Sequence, residues 1–142
     1  MKIAMKFTAL ISSVVLVLFL SACSNKPGDA EIEKQIKASL MEGGGELYEV
    51  VSVQKVNGRE VSEKEYLAEA EYELRFKVGL RDLRQQAHQS SRDWVAQIEG
   101  MAEIELLEEM FGPFNAGDVK KVKDVFAFAK TEKGWMLQKL EL

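Results

Sequence analysis

Hydrophobic and polar residues alternate most regularly between residues 66 and 78, in the segment YLAEAEYELRFKV. Apolar side chains occupy the even positions from Tyr66 to Val78, whereas the odd positions are mostly charged. Because successive side chains of a β-strand point to opposite faces, this pattern predicts a strand with one buried face and one exposed face. Strands of that kind are typical of antiparallel sheets.

Three further segments have strand character. The segment ELYEVVSVQKV is rich in valine and is followed by Asn57 and Gly58, a pair that favours a tight hairpin turn. The segments DVKKVKDVFAFAK and GWMLQKLEL are predicted to form a second hairpin, with Gly134 at the left-handed position of its loop. We therefore expect four strands in two hairpins.

A first helix is predicted to begin near Asp29. Ile32, Ile36 and Leu40 recur every four residues, which places them on one helical face. The three glycines at 43–45 are expected to end this helix.

A second helix is predicted from residue 94 to residue 111, with Asp93 as its N-cap. The following residues are expected to drift along one face of this helix: Trp94, Ile98, Met101, Ile104 or Glu105, Leu107 and Phe111. A strand over 101–108 remains an alternative, because apolar residues and glutamates alternate there. The preceding segment, 81–93, is polar and has no clear period.

These elements together predict an α+β fold. We expect a four-stranded antiparallel sheet with two helices packed on one face, in the order helix, hairpin, helix, hairpin. The charged face of the sheet is then left exposed to solvent.

The N-terminus has the features of an export signal. Residues 1–6, MKIAMK, carry two lysines and no acid, and residues 7–20 form a predominantly apolar run of 14 residues. This run is shorter than the ~20 residues that a transmembrane helix needs. Ser21 and Ala22 then lead directly into Cys23. The arrangement predicts a secretory signal peptide rather than a membrane span.

The residues LSAC at 20–23 resemble the lipobox of bacterial lipoproteins. This resemblance implies that the Cys23 thiol receives a diacylglyceryl group, that the chain is cut before Cys23, and that the new amine is acylated. It divides the chain into a removed signal peptide (1–22), a lipidated N-terminus with a short tether (23–28) and a single α+β domain (29–142). The closing segment from Phe111 to Leu142 is also similar to the terminal hairpins of small bacterial lipoproteins and to cystatin-like or NTF2-like sheets.

The same resemblance implies a location. Ser24, and not an aspartate, follows Cys23; in Gram-negative lipoproteins this implies the outer membrane, with the domain facing the periplasm. In a different source we expect the extracellular side of the cell membrane. The tether 24–28 reaches at most about 17 Å at ~3.5 Å per residue, so the domain is expected to lie close to the lipid headgroups.

Composition narrows the functions that are compatible with the chain. Removal of 22 residues that carry two lysines and no acid leaves 120 residues and changes the formal net charge from −4 to −6. An acidic chain disfavours binding to nucleic acid and to anionic lipid surfaces. Cys23 is the only cysteine, so the domain has no disulfide of its own.

No motif in the sequence indicates catalysis. His88 is the only histidine, and Ser90 and Ser91 follow it without a GxSxG motif. The glutamates between 99 and 109 lack the spacing of a calcium loop. We therefore expect neither an enzyme nor a cofactor or metal, with His88 and the glutamates exposed to solvent.

Two functions remain. The first is a non-enzymatic, membrane-anchored envelope module that has a structural role or contacts another protein. The alternative is a small-ligand-binding lipoprotein with an apolar pocket between sheet and helix. Five aromatic residues are the candidates for pocket or contact: Tyr72, Trp94, Phe111, Phe114 and Trp135. The partner, the ligand and the oligomeric state do not follow from the sequence.

Replacement of Cys23 by serine tests the anchor. We expect the wild-type protein in the membrane fraction, with an intact mass that includes the lipid, and the Cys23→Ser variant in the soluble fraction, because stable anchoring requires more than one acyl chain. Fractionation and mass spectrometry measure both. An unlipidated, soluble wild-type protein would contradict the prediction.

Overall fold

The structure, a computed structural model, describes residues 25–90 and 93–138. These residues form three helices and four strands: α1 (Asp29–Gly44), β1 (Tyr48–Ser62), β2 (Glu65–Phe76), α2 (Leu80–Ser90), α3 (Trp94–Phe111), β3 (Val119–Thr131) and β4 (Gly134–Leu137). The strands make one antiparallel sheet in the order β1-β2-β3-β4. Cys23 and the signal-peptide residues 1–22 lie outside the described residues. Among the helices described, none has the length and apolar character needed to cross a membrane.

Strand β2 is central, and its alternation is confirmed. Tyr66, Tyr72, Leu74 and Phe76 are all buried on one face, together with two alanines between them. On the other face Glu69 and its neighbours are only partly covered. The aromatic and alanine positions therefore divide the core into two clusters, one at each end of β2.

Helix α1 covers the end of β2 at Tyr66. Ile32 and Ile36 are fully buried there and pack in one cluster with Ala68 and Phe128. Their spacing of four residues places both on the same side of the helix, as the sequence predicts. Burial of two isoleucine side chains contributes about 3–6 kcal/mol before the loss of conformational entropy is counted.

Two polar side chains of α1 form hydrogen bonds with the backbone of the edge strands. The Gln35 carboxamide donates to the Trp135 carbonyl at 2.7 Å and accepts from the Leu137 N–H at 2.8 Å, both in edge strand β4. The Glu33 carboxylate accepts from the N–H of Lys55 at 3.0 Å in the opposite edge strand, β1. Both edges of the sheet are thus held by one helix.

The helix count differs from the sequence prediction of two. The polar segment that lacked a clear period forms α2, so the order is helix, hairpin, helix, helix, hairpin. Leu80, Leu83 and Ala87 contact the core cluster at the Phe76 end of β2. Their spacing is helical, but only three apolar residues carry it, too few to stand out among polar neighbours.

The strand alternative for 101–108 is wrong, because α3 is helical throughout. The Asp93 side chain accepts a hydrogen bond from the Val95 N–H at 3.1 Å, which caps the first turn as predicted. At the other end Gly112 has φ of 68°, a conformation that favours glycine and ends the helix.

The expected turn at Asn57 and Gly58 is also wrong. Strand β1 continues through both residues to Ser62, and the chain reverses at 63–64. A Cβ atom at Gly58 would lie 1.9 Å from the Tyr66 hydroxyl oxygen. Glycine is therefore needed there for close packing rather than for a turn. The second hairpin has its loop where predicted, and Gly134 has φ of 100°.

Substitution of Gln35 tests how the edge of β4 is held. We expect Gln35→Ala to lower the free energy of unfolding by about 1–3 kcal/mol, because two backbone groups lose their partner. Alanine is the better helix former, so helix propensity works against this loss. Urea denaturation measures the effect. The exposed neighbour Lys34→Ala is the control, and equal stability of the two variants would contradict the prediction.

Candidate functional site

Four of the five aromatic candidates fill the core. Phe114 stacks on Phe76 with ring centroids 3.8 Å apart, and Phe111 meets the same ring edge-on at 5.4 Å. Tyr72 belongs to this same cluster. Trp135 is buried in the other cluster, edge-on to Tyr66. The structure therefore brings Tyr72, Phe111 and Phe114 together as packing residues.

Trp94 is the exception among the five. It is the first residue of α3, and 69% of its surface is exposed. It lines an open cleft of about 380 Å³ together with His88, Ile98 and Met101. The aromatic residues proposed as the lining of a common pocket thus lie in two core clusters and on the surface.

Several clefts open on the surface elsewhere. One, of about 540 Å³, lies between the glycine-rich end of α1 and the end of α3, near Met41, Tyr48 and Phe111. Another, of about 450 Å³, is lined by Ser39, Phe126 and neighbouring residues. Among the described residues, no group of three histidine, cysteine, aspartate or glutamate side chains is placed to hold a metal ion. His88 is exposed on α2.

Helix α3 is apolar on two faces. Ile104 is buried in the cluster at Phe76, and Leu107 and Phe111 pack beside it. A second set recurs every four residues on a different side of the helix and is called here the α3 stripe: Trp94, Ile98, Ala102, Leu106 and Met110. Residues four apart are separated by only about 40° around a helix, so the stripe is a continuous ridge that winds by about 160° from Trp94 to Met110.

The α3 stripe is exposed to solvent. The exposed fractions are 69% for Trp94, 59% for Ile98, 54% for Leu106 and 61% for Met110. The predicted face is correct in part. Met101, Ile104, Leu107 and Phe111 contact the core cluster. Trp94 and Ile98, which the prediction placed on the same face, are exposed.

Acidic side chains surround the α3 stripe. Helix α3 contains five glutamates and no lysine or arginine. Glu108 pairs with Arg84 of α2. Within the described residues, the side chains of Glu99, Glu105 and Glu109 make no ion pair or hydrogen bond. The stripe is thus an apolar surface bordered by uncompensated negative charge.

The start of the domain and the core contacts of α3 lie apart along the sheet. Helix α1 begins beside Lys55, which pairs with Asp29 at 2.6 Å and lies opposite Ala70 of β2. Helix α3 packs at the Phe76 end. From Ala70 to Phe76 the strand rises by roughly 20 Å at ~3.3 Å per residue.

The opposite face of the sheet carries paired charges. Lys121 lies 2.7 Å from Glu71, and Lys123 lies 2.9 Å from Glu69, across neighbouring strands. The glutamates of β2 and the lysines of β3 meet because the two strands are neighbours in the sheet. Exposed pairs of this kind contribute little to stability, because water and salt screen them. They leave this face charged but compensated, in contrast to α3.

Sequence reasoning missed Leu106 and Met110 as surface residues, although a signal was present. Positions 94, 98, 102, 106 and 110 form one apolar series, and 104, 107 and 111 form another. A helix that packs on the core with one face needs only one apolar series. Two apolar series on a helix of 18 residues therefore indicate a second surface to be covered.

The chain was compared with protein-family models, curated proteins and solved structures, and none of them matches it.

Alkaline titration tests the side-chain hydrogen bond of Tyr72. The Tyr72 hydroxyl donates to the Asp124 carboxylate at 2.7 Å. Burial, and then this hydrogen bond, raise the pKa of Tyr72 above that of a free phenol. Above about pH 10 the unfolded chain ionises its tyrosines first. The stabilising effect of the raised pKa is therefore present below pH 10 and is lost as the pH rises further.

We expect Tyr72→Phe to lower the free energy of unfolding by about 1 kcal/mol at neutral pH and to reduce its decline above pH 10. Denaturation at pH 7 to 11 measures both. Tyr48→Phe is the matched control: burial also raises the pKa of Tyr48, but its hydroxyl bonds a carbonyl rather than a carboxylate. Equal slopes for the wild type and Tyr72→Phe would contradict the prediction.

Proposed function

We propose that this protein is a membrane-anchored bacterial envelope lipoprotein whose domain contacts another protein without catalysing a reaction. The observation that carries the contact function is the exposed α3 stripe. Monomeric proteins rarely expose a contiguous series of large apolar side chains, and such surfaces commonly mark interaction sites. Trp94 at its end is a residue type enriched in the centres of interfaces.

The anchor is supported by the sequence alone. Two lysines, an apolar run and the residues LSAC precede Cys23 in the order that a lipoprotein signal requires. In this proposal residues 1–22 are removed, Cys23 carries the lipid, and 29–142 form one domain on the periplasmic side of the outer membrane.

The geometry of the domain is compatible with both parts of the proposal. The chain enters α1 beside Lys55, close to where the lipid would hold it. Helix α3 packs at the Phe76 end, roughly 20 Å further along β2, and the tether adds a reach of about 17 Å. With the sheet upright on the membrane, α3 is presented away from the lipid, where a protein partner can reach it.

The ligand-binding alternative has less support. Most of its proposed aromatic lining is used for packing, since Tyr72, Phe114 and Trp135 are all buried in the two core clusters. The clefts described above are open to the surface. A non-enzymatic role also agrees with the exposed position of His88, which lies on α2 beside the apolar side chains of Trp94 and Ile98.

Photo-crosslinking in cells tests the contact function. A photoreactive amino acid replaces Leu106 in the α3 stripe or, as the control, Val125 on the outer face of the sheet; both side chains are 54% exposed. We expect one discrete adduct from position 106 and none from position 125, because Leu106 belongs to a continuous apolar series, whereas Val125 lies beside the paired charges of the sheet. Mass spectrometry identifies the adduct. Equal adducts from both positions, or none from 106, would count against a contact at α3.

A further inference from the structure

We propose that the occupant of the α3 stripe is a cationic amphipathic helix, that is, a partner helix with an apolar face bordered by lysine or arginine. This inference rests on the proposed contact function and adds the chemistry of the partner. It follows from the shape of the apolar series and from the charges that surround it.

The shape fits a helix. The stripe extends from Trp94 to Met110, which is about 24 Å at 1.5 Å per residue. Rows of residues four apart form a ridge that winds slowly around a helix, and such ridges pack against a partner helix that crosses at an angle. A partner helix of about 16 to 18 residues has a comparable length. The open cleft of about 380 Å³ beside Trp94, Ile98 and Ala102 offers a recess for one large apolar side chain of the partner.

The negative charge beside the α3 stripe favours a partner with cationic side chains. Glu99, Glu105 and Glu109 lie on the same side of α3 as the stripe, and none of them has a cationic partner within the described residues. Glu108 and Glu109 also lie in the last turn, at the negative end of the helix dipole, where cations are favoured. Arg84 compensates only Glu108. A partner with lysines or arginines beside its apolar face would compensate the remaining carboxylates.

Two other occupants are disfavoured by the same charges. A second copy of this chain would bring α3 against α3, so that glutamates of both helices would border one interface without a cation on either helix. Like charges across an interface oppose association. An anionic lipid surface would be repelled by the same carboxylates. Both remain outcomes that the experiment can detect.

The probe is an 18-residue peptide of leucine and lysine with leucines at helical spacing, labelled with fluorescein. A leucine and glutamate peptide of the same spacing is the matched control. Each is titrated by fluorescence anisotropy against the full-length protein in phosphatidylcholine nanodiscs, with empty nanodiscs as the blank. Because all variants are measured in the same nanodiscs, binding of the peptide to lipid cancels in the comparison between variants.

We expect the lysine peptide to bind at least tenfold more tightly than the glutamate peptide. Leu106→Ser should weaken binding about tenfold, the loss expected when one leucine contact of roughly 1.5 kcal/mol is removed. Val125→Ser, which has the same exposed fraction of 54%, should leave binding unchanged. Both substitutions are at exposed positions, and circular dichroism verifies that the variants are folded.

The charges are tested separately. The triple variant Glu99→Gln, Glu105→Gln, Glu109→Gln should weaken binding at least fivefold and reduce its salt dependence, since screening acts on exposed charges. The control triple variant replaces three exposed glutamates at the far hairpin: Glu60→Gln, Glu63→Gln and Glu65→Gln. Equal losses in the two triple variants, or equal affinity for the two peptides, would overturn the inference.

Photo-crosslinking from position 106 separates this inference from the proposed function. If a crosslink to another protein forms but the lysine peptide does not bind selectively, the contact surface stands and the cationic partner is wrong. An adduct of two copies of this chain would also overturn the cationic partner. If the lysine peptide binds selectively but no crosslink forms in cells, the surface chemistry is supported and the contact function in the envelope fails.

Discussion

The fold depends on how α1 lies across the sheet. Ile32 and Ile36 are fully buried, and Glu33 and Gln35 lie about 80° to either side of them on the helix. Those two polar side chains therefore point toward opposite edges of the sheet, where Glu33 forms a hydrogen bond with the backbone of β1 and Gln35 with the backbone of β4. Edge strands are liable to pair with other chains unless they are covered. One helix thus supplies both the hydrophobic cover and the protection of the edges.

The other end of the sheet has a different construction. The Phe76 ring is stacked on Phe114 and contacts Tyr48 and Phe111 edge-on. These four aromatic side chains form the core at this end, whereas α1 covers the strands at the other end. Helices α2 and α3 pack on this aromatic group through a few residues such as Ile104. Since only one side of α3 is needed for that attachment, its other side is free to carry an interaction surface.

The proposed function follows from the exposed surface of α3. The chain enters α1 beside Lys55, where the Cys23 lipid would hold the domain to the membrane. Further along the sheet, the α3 stripe combines four large exposed apolar side chains with uncompensated glutamates. The contrast with the outer face of the sheet is informative, because Lys121 and Lys123 neutralise Glu71 and Glu69 there. The domain compensates its charge on the sheet and leaves it uncompensated on α3.

The sequence by itself determined the elements whose patterns are local: the alternation of β2, the Ile32 and Ile36 face of α1, the Asp93 cap and the Gly134 loop. It also carries the only support for the anchor at Cys23. Only the tertiary structure decided that Gly58 packs under Tyr66 instead of turning the chain, and that α2 is a helix. It also decided which apolar face of α3 is buried. A helix with apolar residues on two sides has no preferred inward face until neighbouring elements cover one of them, and the Phe76 cluster covers the side of Ile104.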